Sequence, residues 1–402
     1  MPVKTRSTPN PLRLGLFWLG IQAVWGAVLG IALQARTIEL IVGPGALLAY
    51  GRLATLGAVV AAIVQIVVGP FSDARRRGTS RRIEFYLVGT IAGSFALAWF
   101  FGAQDFGALT FAYVALQAGL NVAIGPYQAI IPDAMPRSSF GRASSWMAAL
   151  QSAGNAVGAI LAAYINDARI LAGSLIALLI ATVSATGAHV RRLALEPPPP
   201  RQRLRITRAF ADLFVSRALV YVGFYTLLGY LLFYVARVLT APTLAAAKSE
   251  SGVLILAFTL FGALGAAVAA RPTDRFDKRL VASVGGAIVI VALAGFIATD
   301  AFIGAVACTL AAGIGWGIFL AADWAIACRI LPSGALATTM GFWNLAVILP
   351  QIVAPALTTT MLARLALTTG PAGPKAAFAL AAGETLIGIA WLWRLPREAL
   401  GE

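Results

Sequence analysis

Two carboxylates, Asp323 and Glu384, fall inside long apolar runs of this chain. Away from water and without a countercharge, the ionised form of such a group is penalised, so it can take up and release a proton. Both are candidate proton carriers. The competing reading of Asp323 is a structural ion pair, and for Glu384 a structural role is the stronger reading.

Amides and aromatic rings recur at helical spacing in other apolar runs. One face carries Trp18, Gln22 and Trp25, and another carries Tyr113, Gln117, Asn121 and Gln128. Tyr221 goes with Tyr225, Trp316 with Asp323, Gln151 with Asn155, and Asn344 with Gln351. Rings cover the faces of a sugar, and amides exchange hydrogen bonds with its hydroxyls. Trp18, Gln22, Trp25, Gln117, Asn121, Tyr221, Tyr225, Trp316, Asn344 and Gln351 are therefore the candidate substrate-binding residues. The competing reading is helix–helix contact, with amides bonding across helices and Trp at the headgroup level. Gln22, Gln117 and Asn121 sit well inside their runs, where the ligand reading is stronger.

Other chemistry finds little support. The single histidine, His189, ends an apolar run and reads as interfacial, so no Ser-His-Asp set can form around it. A Gly-x-x-x-x-Gly-Lys-Ser/Thr phosphate loop is absent, which argues against ATP-driven work. Cys308 and Cys328 lack metal-ligand spacing. No enzyme is expected, and neither a cofactor nor a metal is implied.

The elements that carry these residues follow from composition. Of 402 residues, 59% are hydrophobic and 12% charged. Soluble domains carry roughly 25% charge, so the solvent for this surface must be lipid. The apolar runs are continuous, which selects helices over barrel strands. We read an all-α membrane protein of twelve spans, at roughly 14–34, 46–70, 83–101, 107–130, 143–165, 169–189, 212–236, 250–270, 280–298, 301–327, 338–362 and 374–394. The net charge of +15 does not signal nucleic acid, because the basic residues occupy short loops between spans. With the N-terminus inside, about 24 Lys and Arg fall on one face and about 7 on the other, which places both termini in the cytoplasm.

The chain also divides. Residues 1–190 and 211–402 each hold six spans. Between them, 191–210 is a basic linker with the run Pro197 to Pro200, which cannot continue a helix. At an offset near 200, Asp73 matches Asp274, Ile131-Pro132 matches Leu331-Pro332, and Gln151 matches Gln351. That supports a parallel repeat of two pseudo-symmetric six-helix bundles.

After span 2 the chain reads Gly69-Pro70-Phe71-Ser72-Asp73-Ala74-Arg75-Arg76-Arg77-Gly78. The second half has Asp274-Arg275 in the matching place but lacks the leading Gly. The pattern resembles the cytoplasmic motif of the major facilitator superfamily, with Ala74 where an Arg usually follows the Asp. The competing reading is a solvated basic loop that only sets topology. Gly69 is expected to allow close helix approach, and Asp73 to pair with a basic residue or helix N-terminus. Arg75, Arg76 and Arg77 are expected to compensate for the missing Arg. Two segments, Pro126 to Asp133 and Ala322 to Gln351, resemble the branch of sucrose-transporter-like sugar–proton symporters and its bacterial relatives.

The resemblance implies alternating access about a central cavity lined by spans 1, 4, 7 and 10, which favours Asp323 over Glu384 as proton carrier. It implies a small-molecule solute, a proton or sodium as coupling ion, and a single chain as the working unit; the composition and the lack of a targeting presequence fit a bacterial cytoplasmic membrane. One rival is a proton-antiport exporter, although Gly154-Asn155-Ala156-Val157-Gly158 lacks the proline usual in such proteins. Others are a lipid carrier and a non-transporting assembly factor or receptor on the same fold.

Overall fold

The computed structural model describes residues 9–41, 45–79, 82–135, 140–193, 207–330 and 336–396. Of Asp73, Arg75, Arg76, Arg77, Gly78, Asp274 and Asn344 it describes the backbone alone, so the expected roles of those side chains lie outside the described residues. The proline run Pro197 to Pro200 lies outside them as well.

The described chain is helical, without a strand among the described residues. Helix α1 (Pro11–Ala27) passes through a π turn (Val28–Ala32) into α2 (Leu33–Leu40), and the three make one span. Then come α3 (Gly45–Thr79), α4 (Ile83–Gly102), α5 (Phe106–Tyr127), the short α6 (Ile130–Ala134), α7 (Phe140–Tyr164) and α8 (Ala168–Arg192). The second half has α9 (Arg208–Arg237), α10 (Leu244–Arg275), α11 (Lys278–Ala298), α12 (Phe302–Ile330), α13 (Leu336–Arg364) and α14 (Ala372–Leu392). Among the described residues, eleven helices are long and apolar enough to cross a membrane. Helix α7 supplies the twelfth by length, with Gln151, Ser152 and Asn155 lowering its hydropathy. The protein is an all-α membrane protein of twelve helices in two pseudo-symmetric six-helix bundles.

Starts are set by side-chain caps, which satisfy amides that no helical carbonyl can reach. Asp105 accepts from the Ala108 N–H, Thr207 from Phe210, Thr243 from Ala246 and Asp277 from Arg279. Asp167 accepts from the Ile170 and Arg169 N–H groups, and these bonds hold its carboxyl below the usual carboxylate range.

By contacts the chain forms two compact units, one of residues 1–32 with 56–201 and the other of 33–55 with 202–402. In the first unit α7 lies on α1 through small residues. A Cβ built at Gly158 would fall on the Ala23 carbonyl, and one at Gly26 would lie 2.8 Å from Asn155 Cα. In the second unit, segment 33–55 sits on α9. Tyr50 meets Tyr230 edge-on at 5.8 Å and Phe233 at 5.5 Å, and the Gln34 amide donates to the Gly229 carbonyl at 3.5 Å.

Two expectations around the basic motif change. The motif is helical, because α3 runs on to Thr79 and Ala and Arg are good helix formers. Among the described residues Gly69 makes no close approach, since a Cβ there would meet none of them within 4 Å.

Gly158→Ala should destabilise the protein by about 1–3 kcal/mol, because backbone rather than a flexible side chain stands in the way. Gly173→Ala, with open space around it, should leave thermal unfolding in detergent unchanged.

Candidate functional site

In the first unit, α5 and α3 carry a continuous polar chain. Gln65 Nε2 donates to Asn121 Oδ1 at 2.6 Å, Asn121 Nδ2 to Gln117 Oε1 at 3.3 Å, and Gln117 Nε2 to the Tyr113 hydroxyl at 2.8 Å. Gln117 and Asn121 are buried; Asn121 joins α5 to α3 through Gln65, whereas the Gln117 side-chain bonds stay within α5. Gln65, not singled out from the sequence, completes the chain. Trp18 is buried with its ring 5.3 Å from that of Tyr127, while Gln22 and Trp25 are half-buried on the same helix. His189 Nε2 accepts from the Asn10 N–H at 3.0 Å, so it helps close the start of α1.

The end of α3 has an anchor that the sequence reading overlooks. Arg82 donates from Nε to Asp133 Oδ2 at 2.8 Å and from Nη1 to Ser72 Oγ at 2.6 Å. In the second unit Arg279, also at the start of a helix, donates to Asp277 at 2.6 Å and to the Leu395 carbonyl at 2.7 Å. Arg275 is exposed.

The second unit brings most of its expected residues together. Phe224 stacks on Trp316 at 4.4 Å with an interplanar angle of 12°, and Tyr221 meets Trp316 edge-on at 5.0 Å. Gln351 Nε2 donates to the Tyr225 hydroxyl at 3.0 Å. Trp316, Tyr225 and Gln351 are half-buried, whereas Tyr221 is buried. Rings on α9 and α12 thus flank an amide–phenol pair on α13 and α9.

Asp323 is not a lone carboxylate. Arg217, about 14 Å along α9 from its start, is ion-paired to it, and both side chains are buried. The guanidinium lies 4.4 Å from the Trp343 ring and 4.9 Å from the Tyr221 ring, and its Nη2 donates to the Tyr221 hydroxyl at 3.3 Å. Arg217 escaped the sequence reading although it lies inside the expected span 212–236. Its signal was available, because a charge within a membrane span marks a partner or a pathway. The pairing alters the chemistry of Asp323. Its ionised form now has a countercharge beside it.

Glu384, near the middle of α14, has no such countercharge among the described residues. Thr226 donates to its Oε2 at 3.1 Å, and no ion pair among the described residues includes it.

The sequence matches the family model of the major facilitator superfamily over residues 15–355. The chain belongs to this superfamily. A search of curated proteins finds no match. Among solved structures, this superfamily member is similar to a bacterial homologue of the human lysosomal transporter Spinster in an inward-facing, occupied conformation, at 17% identity over 96% of each chain with a TM-score of 0.72. It is also similar to an auto-inhibited POT family peptide transporter, at 13% identity over 95% of each chain with a TM-score of 0.74. A D-xylose-proton symporter aligns at 13% identity over 98% of each chain with a TM-score of 0.66. The superfamily member thus has a transporter fold shared by proteins whose cargoes differ.

Removing one partner of the Arg217–Asp323 pair should cost this superfamily member about 3–5 kcal/mol, because a buried charge is left uncompensated. Arg217→Met and Asp323→Leu should each lower the unfolding temperature sharply, and the double variant should recover most of the loss. Additive losses in the double variant would show that the pair does not act as a unit.

Proposed function

We propose that this chain is a secondary active transporter that moves a small uncharged polar solute, a sugar in the first instance, by alternating access and with proton coupling. It works in a bacterial cytoplasmic membrane with both termini in the cytoplasm, and the halves 1–190 and 211–402 are its two moving parts. The observation that carries the reading is the half-buried Gln351–Tyr225 pair, whose Tyr225 ring lies 5.2 Å from Phe224 and 6.2 Å from Tyr221, the two rings that meet Trp316. An amide and a phenol can exchange hydrogen bonds with hydroxyls while rings cover an apolar sugar face. No net charge accompanies these groups, because the nearby Arg217 is balanced by Asp323. The D-xylose-proton symporter among the similar structures supports the same solute class and ion. The segments Pro126 to Asp133 and Ala322 to Gln351 support placement near the sucrose-transporter-like branch.

The test is uptake of labelled sucrose, maltose and xylose into proteoliposomes, with and without an inward proton gradient. Accumulation should collapse with a protonophore. Gln351→Ala should lower uptake about tenfold, the worth of one to two hydrogen bonds to the solute. Absence of flux for every sugar in folded protein would overturn the sugar reading and favour an exporter or a lipid carrier.

A further inference from the structure

We propose that Glu384, linked through Thr226 to Thr358, is the site at which this carrier binds its coupling proton, given the transport reading above. Glu384 lies about 18 Å from one end of α14 and about 12 Å from the other, so it is deep in the span. The residue is 8% exposed. Its Oε2 accepts from Thr226 at 3.1 Å, and its Oε1 has no hydrogen-bond partner among the described residues. Thr226 Oγ1 lies 3.2 Å from Thr358 Oγ1 on α13, and both threonines are fully buried. The adjacent turn repeats the pattern, with the Tyr230 hydroxyl 3.1 Å from Thr359 Oγ1.

The electrostatics set this carboxyl apart. Tyr230 on α9 is the titratable group that faces it. Charged side chains on the helices packed against α14 lie at helix ends or are engaged elsewhere, and buried Lys278 opens α11 next to Arg279. Arg217 holds Asp323, Arg279 holds Asp277, Lys375 holds Asp300, and Arg208 lies 3.8 Å from Asp212. Arg237 donates to the Thr368 carbonyl, and Arg364 is exposed at the end of α13. A buried carboxylate with one hydroxyl donor and no countercharge is costly in a lipid-embedded helix. A proton removes that cost directly. Asp323 differs in having the Arg217 guanidinium as a direct partner.

The hydroxyl chain also gives the proton something to move. Each threonine has a single O–H to donate. With Glu384 ionised, Thr226 must donate to it, so Thr358 must donate to Thr226. With Glu384 protonated, the carboxyl O–H can donate to Thr226, which then donates to Thr358. One proton therefore reverses the hydrogen bonds that join α14, α9 and α13. It arrives from water as one O–H forms at Glu384, and returns to water when that bond breaks.

The test needs no solute. Purified protein in liposomes is followed by infrared difference spectroscopy across pH steps. A protonated-carboxyl C=O band should appear on acidification and vanish in Glu384→Gln. Thr226→Val should move its titration midpoint, and Thr226→Ser should restore it. Thr226→Val also serves as the decisive variant if Glu384→Gln fails to fold. A band unchanged in Glu384→Gln, or indifferent to Thr226→Val, would overturn the proposal. Loss of the band on adding sodium at constant pH would overturn the proton assignment in favour of sodium. Band present with no sugar flux would keep the proton site and sink the sugar reading. Proton-driven sugar flux with no such band would do the reverse.

Discussion

Helices in hydrocarbon gain little by hiding apolar side chains from one another, because lipid is as apolar as leucine. What holds this protein together is close backbone approach at small residues. Within the first unit α1 and α7 meet at Gly26 and Gly158, and α4 and α5 meet at Gly89, Gly93 and Gly119. In the second unit α10 and α12 meet at Gly265 and Gly317, and α11 and α12 at Gly285 and Gly315. Helices α9 and α14 meet at Gly223 and Gly388, where Ser216 also donates to the Gly388 carbonyl at 2.8 Å. A Cβ at most of these positions would press on a neighbouring backbone. The polar groups between the helices are placed by these contacts.

That placement separates two kinds of buried charge. Arg217 and Asp323 come from different helices and neutralise each other under aromatic rings. Glu384 comes from a helix held so tightly to α9 that its nearest partner is a threonine hydroxyl. One carboxylate is matched by a full charge and the other only by a dipole. In a medium of low dielectric a full countercharge and a hydroxyl dipole are very different partners.

Much of the fold was legible in the sequence because lipid imposes a simple rule: long apolar runs become helices. Twelve runs gave twelve helices. The misjudged parts depend on partners that no linear reading supplies. Helix α3 runs past its apolar part because Ala74 and the arginines after it sustain a helix in the absence of a hydrophobic signal. Gly69 looked like a contact point, whereas Gly158 and Gly223 are such points, and only the neighbouring backbone tells them apart. In the candidate site, the aromatic and amide types on α9, α12 and α13 were visible as stripes, and the structure joins Tyr225 to Gln351 and Tyr221 to Trp316. Arg217 lies within the expected span 212–236, and it gives Asp323 beside it a direct partner.

The polarity of α7 has a consequence for how the protein is made. Gln151, Ser152 and Asn155 make insertion of α7 less favourable than an all-apolar helix of its length would find it. Its close partner is α1, which leaves the ribosome much earlier and presents Gly26 and the Ala23 carbonyl for α7 to dock against. Helix α7 thus emerges with its packing partner already made.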